Sequence, residues 1–317
     1  MKQKLFMLLA TLTSSMQVYA MDTCFSESCS DCFGFDTVMS FEIGGGYRED
    51  QVKWKAYPAS APGYIVEEKW TGLHTGIIDT GFQFLATEHY LMKVDFDYGW
   101  WGRQGHQTIK TFTTNPEASA TQVGDVHSPT KGRVYDLSGE AGYQFNSPCN
   151  TYSFAPLAGY AYHFQRLANH KYHNEDAKNP KQSQYSPNHY RYIWKGPTLG
   201  FLASWQIACG WQLALRYAYT WAGYHAKIHE VFAPGTPGVP VGSLEGKQHN
   251  LNASGNEISL NSVFEFCDDW IFGIKFDYYN FNASKAKFRG EKGLYHSVVR
   301  NVNWTSWNIT ADIGYVF

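Results

Sequence analysis

Between Tyr90 and Trp101 apolar and polar positions alternate. Tyr90, Met92, Val94, Phe96, Tyr98 and Trp100 fall on one side, and Leu91, Lys93, Asp95, Asp97, Gly99 and Trp101 on the other. A period of two predicts a β-strand, because successive side chains point to opposite faces of a sheet. It leaves open which face is buried. A water-soluble sheet would bury the aromatic side. A barrel in lipid would turn the aromatics outward and line its interior with Lys93, Asp95 and Asp97.

The pattern returns at residues 133–145, 211–221 and 270–280, more weakly at 37–47, 70–84, 152–164, 191–205 and 258–266, and closes the chain at 307–317. These segments predict ten strands, an even number. Their connections alternate in length. Short links fall near 86–89, 146–151, 206–210 and 267–269, and long ones run through about 50–68, 102–131, 167–188, 223–255 and 283–300. The fourth long link contains VFAPGTPGVPVGSLEG, whose Pro and Gly residues do not suit a central strand.

Short turns on one side and long loops on the other are the habit of a bacterial outer-membrane barrel, with the turns in the periplasm. A soluble β-sandwich also alternates. It does not call for this asymmetry, nor for faces carrying Lys93, Asp95, Asp97, Arg216, Lys275 and Asp277, and its open edges would need protection that closure removes. The expected fold is therefore all-β: a transmembrane antiparallel barrel of about ten strands.

Composition supports this reading. Aromatic residues make up 17% of the chain, a load that the girdles of a membrane barrel explain. No apolar run reaches the eighteen residues of a membrane helix. A formal net charge of −2 with no dominant basic block argues against a nucleic-acid partner. The first twenty residues, MKQKLFMLLATLTSSMQVYA, read as a cleaved secretory signal: Lys2 and Lys4 precede an apolar stretch and a Val-Tyr-Ala cleavage site. The expected division is a signal peptide at 1–20, a periplasmic Cys-rich segment at 21–35 and the barrel at 36–317, inserted in the outer membrane.

Six cysteines follow the signal. Cys24, Cys29 and Cys32 cluster before the first strand, and Cys149, Cys209 and Cys267 each fall in a short turn. All six then face the periplasm, an oxidising compartment in many bacteria, where they could pair within the chain or between chains. Fifteen pairings are possible. Zinc in CFSESCSDC is the other reading, but no His accompanies the cluster, and disulfides suit the compartment better.

The stretches EKWTGLHTGIIDTGFQF, YSFAPLAGYAYHFQRL and YIWKGPTLGFLASWQIACGWQLALRYAYTWAGYHAKIHEVF resemble the Protochlamydia outer-membrane protein family, most distinctively at WKGPTLGF. That resemblance implies a porin or structural role in an envelope held together partly by disulfides. The strand order and the Gly-Pro-x-Leu-Gly strand also resemble omptins, ten-stranded outer-membrane proteases. Omptins pair an Asp-x-Asp with an Asp-x-His to activate a water. Here the segment after Trp101 offers only Glu117 and Asp125 before Lys131, and Lys227 stands two residues before His229. The omptin catalytic set does not carry over, and no enzymatic activity is expected. Asp125-Val126-His127 lies in the wrong loop, and Asp95-Phe96-Asp97 lies inside a strand.

The residues expected to line the lumen are Lys93, Asp95, Asp97, Asp136, Glu140, Arg216, Lys275 and Asp277; if solutes pass, these set selectivity. Tyr315 and Phe317 resemble the terminal signal read by barrel-assembly machinery. His163, His170, His173, Glu175 and Asp176 read as a solvated loop more readily than as a metal site. No cofactor is implied. The expected partners are outer-membrane lipid, the assembly machinery, and, through disulfides, further copies of the chain or other Cys-rich envelope proteins. Ten strands enclose little more than their own side chains, which counts against an open porin. An omptin-like hydrolase and an adhesin using the outer loops are the alternatives.

Overall fold

The structure, a computed structural model, describes residues 39–58, 64–87, 89–101, 105–113, 121–147, 151–169, 173–174, 188–232, 242–267, 269–290 and 296–317. The expected signal and Cys-rich segments lie outside these. The strands are β1 (Met39–Pro58), β2 (Tyr64–Ala86), β3 (Tyr90–Trp101), β4 (Gly105–Thr113), β5 (Thr121–Tyr143), β6 (Phe145–Asn146), β7 (Tyr152–Asn169), β8 (His173–Asn174), β9 (Asn188–Ala208), β10 (Trp211–Phe232), β11 (Gly242–Cys267), β12 (Trp270–Gly290) and β13 (His296–Val316).

They make a closed wall of ten antiparallel runs. β3 and β4 are two halves of one run: β2 pairs with β3 from Thr75↔Trp101 to Ala86↔Tyr90, and with β4 from Tyr64↔Thr113 to Thr71↔His106. β5 pairs with both halves on their other side, β6 extends its lower end, and β8 adds a short pairing near its start. The wall continues through β7, β9, β10, β11, β12 and β13, and β13 returns to β1 from Ser40↔Val316 to Pro58↔Ser297. No edge is left open around the ring.

The lower half is built for lipid. The β3 aromatics point outward, with Tyr90 60% and Trp100 51% exposed, while Asp97 is 4% exposed on the inner side. Phe41, Ile43, Leu137, Leu199, Phe276 and Ile313 continue the apolar band on other strands. On β12 the band runs from Trp270 to Tyr278 and on β10 from Trp211 to Trp221, the nine to eleven residues that a tilted strand needs to cross a bilayer.

The upper half reverses polarity. Above Tyr47 the outward residues of β1 are Glu49, Gln51, Lys53 and Lys55, whereas Val52 and Trp54 turn inward at 1% and 5% exposure. Four of the five expected long loops are therefore mostly strand, because β1, β2, β4, β5 and β10 to β13 extend into them; of 167–188 the described residues are strand, and the rest lies outside them. Two physical causes hid this. The outward face in water is polar and the inward face aromatic, the opposite of the lower half. Bulges also slip the period by one residue, at Gly72 (φ 63°) on β2 and Asn301 (φ 54°) on β13, so inward positions pass from Leu73 to Trp70 and from Val302 to Val299. The upper core admits close approach where it must: a Cβ on Gly255 would lie 2.2 Å from the Phe281 ring.

Candidate functional site: the barrel interior

From the short-turn end upward, the interior has three layers. The lowest is a cavity of about 120 Å³ among Glu42, Gln83, Lys93, Asp95, Gln144 and Gln212. Lys93 Nζ lies 3.2 Å from Asp95 Oδ1 in it, and both side chains are partly exposed.

Above it lies a layer of paired charges. Arg48 on β1 donates from Nε to Asp50 Oδ2 at 2.9 Å and from Nη2 to Asp50 Oδ1 at 3.1 Å, and its Nη1 reaches across to Asp136 on β5. His163 on β7 sits between two carboxylates, 3.1 Å from Asp136 and 3.3 Å from Glu257. Arg216 on β10 grips Glu140 with both arms, at 2.7 and 2.6 Å, and lies 3.3 Å from Glu257, whose Oε1 accepts from Thr220 at 3.0 Å. The bidentate fork fixes direction as well as charge. The links Asp50–Arg48–Asp136–His163–Glu257–Arg216–Glu140 form a strut across the lumen. Beside it Lys275 Nζ donates to Asp79 Oδ2 at 2.5 Å and lies 3.9 Å from Asp277. A cavity of only about 20 Å³ remains among these groups, room for about one water.

The third layer is aromatic. Trp70, Tyr190, Tyr192, Trp194, Tyr224, Phe281 and Trp304 are all buried inside the upper barrel. Trp194 packs on Tyr224 (ring centroids 4.4 Å apart), Trp70 edge-on to Tyr190 (4.6 Å) and Phe281 on Trp304 (5.2 Å). Two of the indoles reach acceptors: Trp304 Nε1 donates to Asp50 Oδ1 at 2.8 Å, and Glu68 Oε1 accepts from Trp70 Nε1 at 2.5 Å and from Gln107 Nε2 at 2.8 Å. Buried indoles ordinarily find such acceptors.

All eight charges singled out in the sequence face this interior. Asp97, Asp136, Glu140, Arg216, Lys275 and Asp277 are buried; Lys93 and Asp95 are half-buried at the lower cavity. Sequence reading passed over Arg48, Asp50, Asp79, Glu257 and Asp312, although each keeps the inward phase of its strand. It misplaced His163, which is buried in the strut and is no part of a solvated loop; His170, Glu175 and Asp176 lie outside the described residues. Among the described residues, no group of three or more His, Cys, Asp or Glu side chains is set to hold a metal. Cys209 lies in the β9–β10 turn and Cys267 ends β11, both on the short-turn side, while Cys24, Cys29, Cys32 and Cys149 fall outside the described residues. Tyr315 stacks edge-on with Trp270 at 5.2 Å, and Phe317 is 63% exposed. His229 points outward, its neighbour Ile228 inward, so the wall separates it from the interior Asp97.

The barrel superposes on the outer-membrane protease OmpT from Escherichia coli with a TM-score of 0.69 at 11% identity, over 92% of this chain and 100% of that one. The outer-membrane protein OprG from Pseudomonas aeruginosa matches far less well, with a TM-score of 0.32 at 11% identity, over 89% of this chain and 97% of that one. No curated protein sequence matches. At such identity the likeness to OmpT shows the fold alone. The family model for the Protochlamydia outer membrane protein matches residues 42–317; the chain belongs to that family and is an outer-membrane β-barrel.

Proposed function

We propose that this protein is a closed, structural barrel of the outer membrane, neither an open pore nor an enzyme. The carrying observation is the filled interior. A hydrated ion moving along the axis would have to part the Arg48–Asp136 and Arg216–Glu140 pairs and then displace Trp194, Phe281 and Trp304. Breaking one buried charge pair costs about 3–5 kcal/mol, and the aromatic layer adds its own packing. The apolar band holds the barrel in lipid. In this reading the signal at 1–20 is removed after export, Tyr315 and Phe317 present the terminal strand to the assembly machinery, and the turn-side cysteines join the barrel to other copies or to Cys-rich envelope proteins. The phase of the mismatched omptin set supports the non-enzymatic part: His229 and Asp97 lie on opposite sides of the wall.

The test is conductance of the refolded mature protein in a planar bilayer, with folding established by heat-modifiable gel mobility. Folded protein should leave the bilayer silent. Discrete steps whose ion preference shifts on neutralising Asp95 and Asp97 would sink the closed reading and establish a porin.

A further inference from the structure

Although the chain carries a net charge of −2, its acids are unevenly placed: Glu42, Asp50, Asp79, Asp97, Asp136, Glu140, Glu257, Asp277 and Asp312 all turn into the barrel. One sector of the outer wall is left basic. Strands β7 and β9 contain no acidic residue at all. On this sector Arg133 of β5 pairs directly with Arg166 of β7, Arg166 with Arg191 of β9, and Arg191 with Lys227 of β10. All four are exposed. The backbone register continues the row through Lys247 on β11 to Arg289 on β12.

Like charges placed directly opposite one another across a sheet destabilise it, so the Arg191–Lys227 pair is a cost that a ligand of opposite charge would relieve. The row does not stay at the membrane surface. Arg133 and Arg166 are the first outward residues above the aromatic girdle, following Tyr135 and Phe164. Lys227 is the third above Trp221, beyond Gly223 and His225 on β10, and on β9 Arg191 lies beyond Lys195 and Ile193 above Pro197. The track therefore rises away from the lipid as it crosses the strands. With strands about 4.8 Å apart, its four described members span about 14 Å.

From this geometry we infer that the outer wall carries a binding track for a linear acidic polysaccharide, with successive sulfates or carboxylates meeting successive cations. Arginine suits such groups because its planar fork pairs two donors with one oxyanion. The Arg191 guanidinium is already oriented, 5.0 Å over the Phe164 ring, and Tyr135 stacks on that ring at 4.3 Å to stiffen the platform. A phosphate-bearing lipid headgroup is the competing ligand, but it would stay at the level of Arg133 and Arg166. The climb to Lys227 favours a chain that leaves the membrane. This site lies on the opposite face of the wall from the interior and is independent of whether the lumen conducts.

The experiment is retention of the refolded full barrel, in neutral detergent, on immobilised heparin, with salt elution and with heat-modifiable mobility as the folding check for every variant. Wild type should be retained and released by salt, since exposed charges are screened. Arg191→Gln with Lys227→Gln should bind about a hundredfold more weakly at low salt, as expected for two lost charge-assisted contacts, whereas Lys53→Gln with Lys55→Gln on β1 should bind as wild type. Failure of wild type to bind, or equal loss in both double variants, overturns the track. Loss only in Arg133→Gln with Arg166→Gln, with matching loss of binding to phosphatidylglycerol vesicles, assigns the patch to a lipid headgroup and also overturns it.

Discussion

Arg48 is fully buried and holds Asp50 and Asp136 while its guanidinium lies 5.6 Å from the Trp304 ring centre. Truncating it leaves the buried Asp50 without its cation and Asp136 with His163 alone. Arg48→Ala should therefore cost about 3–5 kcal/mol, read as a lower midpoint in denaturant unfolding of the refolded barrel; an unchanged midpoint would show that the strut carries no stability. Outside the membrane the balance differs. Glu67 on the upper wall lies 3.2 Å from Lys53 Nζ and 3.1 Å from Lys55 Nζ. Partial burial opposes its ionisation, but hydrogen bonds from Lys55 and Lys53 outweigh this and hold its pKa below the ordinary 4.5. A depressed carboxylate contributes stability above its unfolded value and loses it as pH falls through the folded one. The Glu67 titration followed by NMR should have its midpoint below 4.5, and Lys53→Gln with Lys55→Gln should move it upward; no movement would remove these lysines as the cause.

Strands that run from the membrane into water must change which face is apolar. On β1 the change falls at Tyr47–Arg48, on β10 at Trp221–Ala222 and on β12 at Tyr278–Tyr279. This is why the lower strands were legible in the chain and the upper ones were not. The motif Lys53-Trp54-Lys55 alternates as clearly as Phe41-Glu42-Ile43, but with the aromatic residue on the other side, and at Gly72 and Asn301 an extra residue interrupts the count. If the upper wall is true sheet, amide exchange at Val52, Trp54 and Tyr224 should be as slow as at Ile43 and Leu215. Fast exchange there, with protection kept below, would restore the long loops that composition suggested.

For the molecule as a whole, ten strands and a filled interior make the barrel, in the proposed reading, more a post than a pipe. Its remaining chemistry then lies on its surfaces: the outer wall, and the turn side where Cys209 and Cys267 sit. The proposed structural role predicts high-mass species from native envelopes on non-reducing gels that collapse with reductant and disappear when Cys149, Cys209 and Cys267 are changed to Ser. A monomer band under non-reducing conditions would leave the barrel structural only through its lipid anchorage.

Strand number, closure and the outward aromatics of the lower half were all readable from the chain alone, because alternation is a local property and a bilayer imposes one polarity on every strand that crosses it. So was the inward phase of Lys93, Asp97, Arg216 and Lys275. What these charges meet was not readable. Arg48 finds Asp136 across 88 residues and Lys275 finds Asp79 across 196, and such partners follow from closing the ring in one register. What occupies the lumen was likewise decided only by the tertiary structure: the side chains come from nearly every strand, and no segment by itself records that they converge.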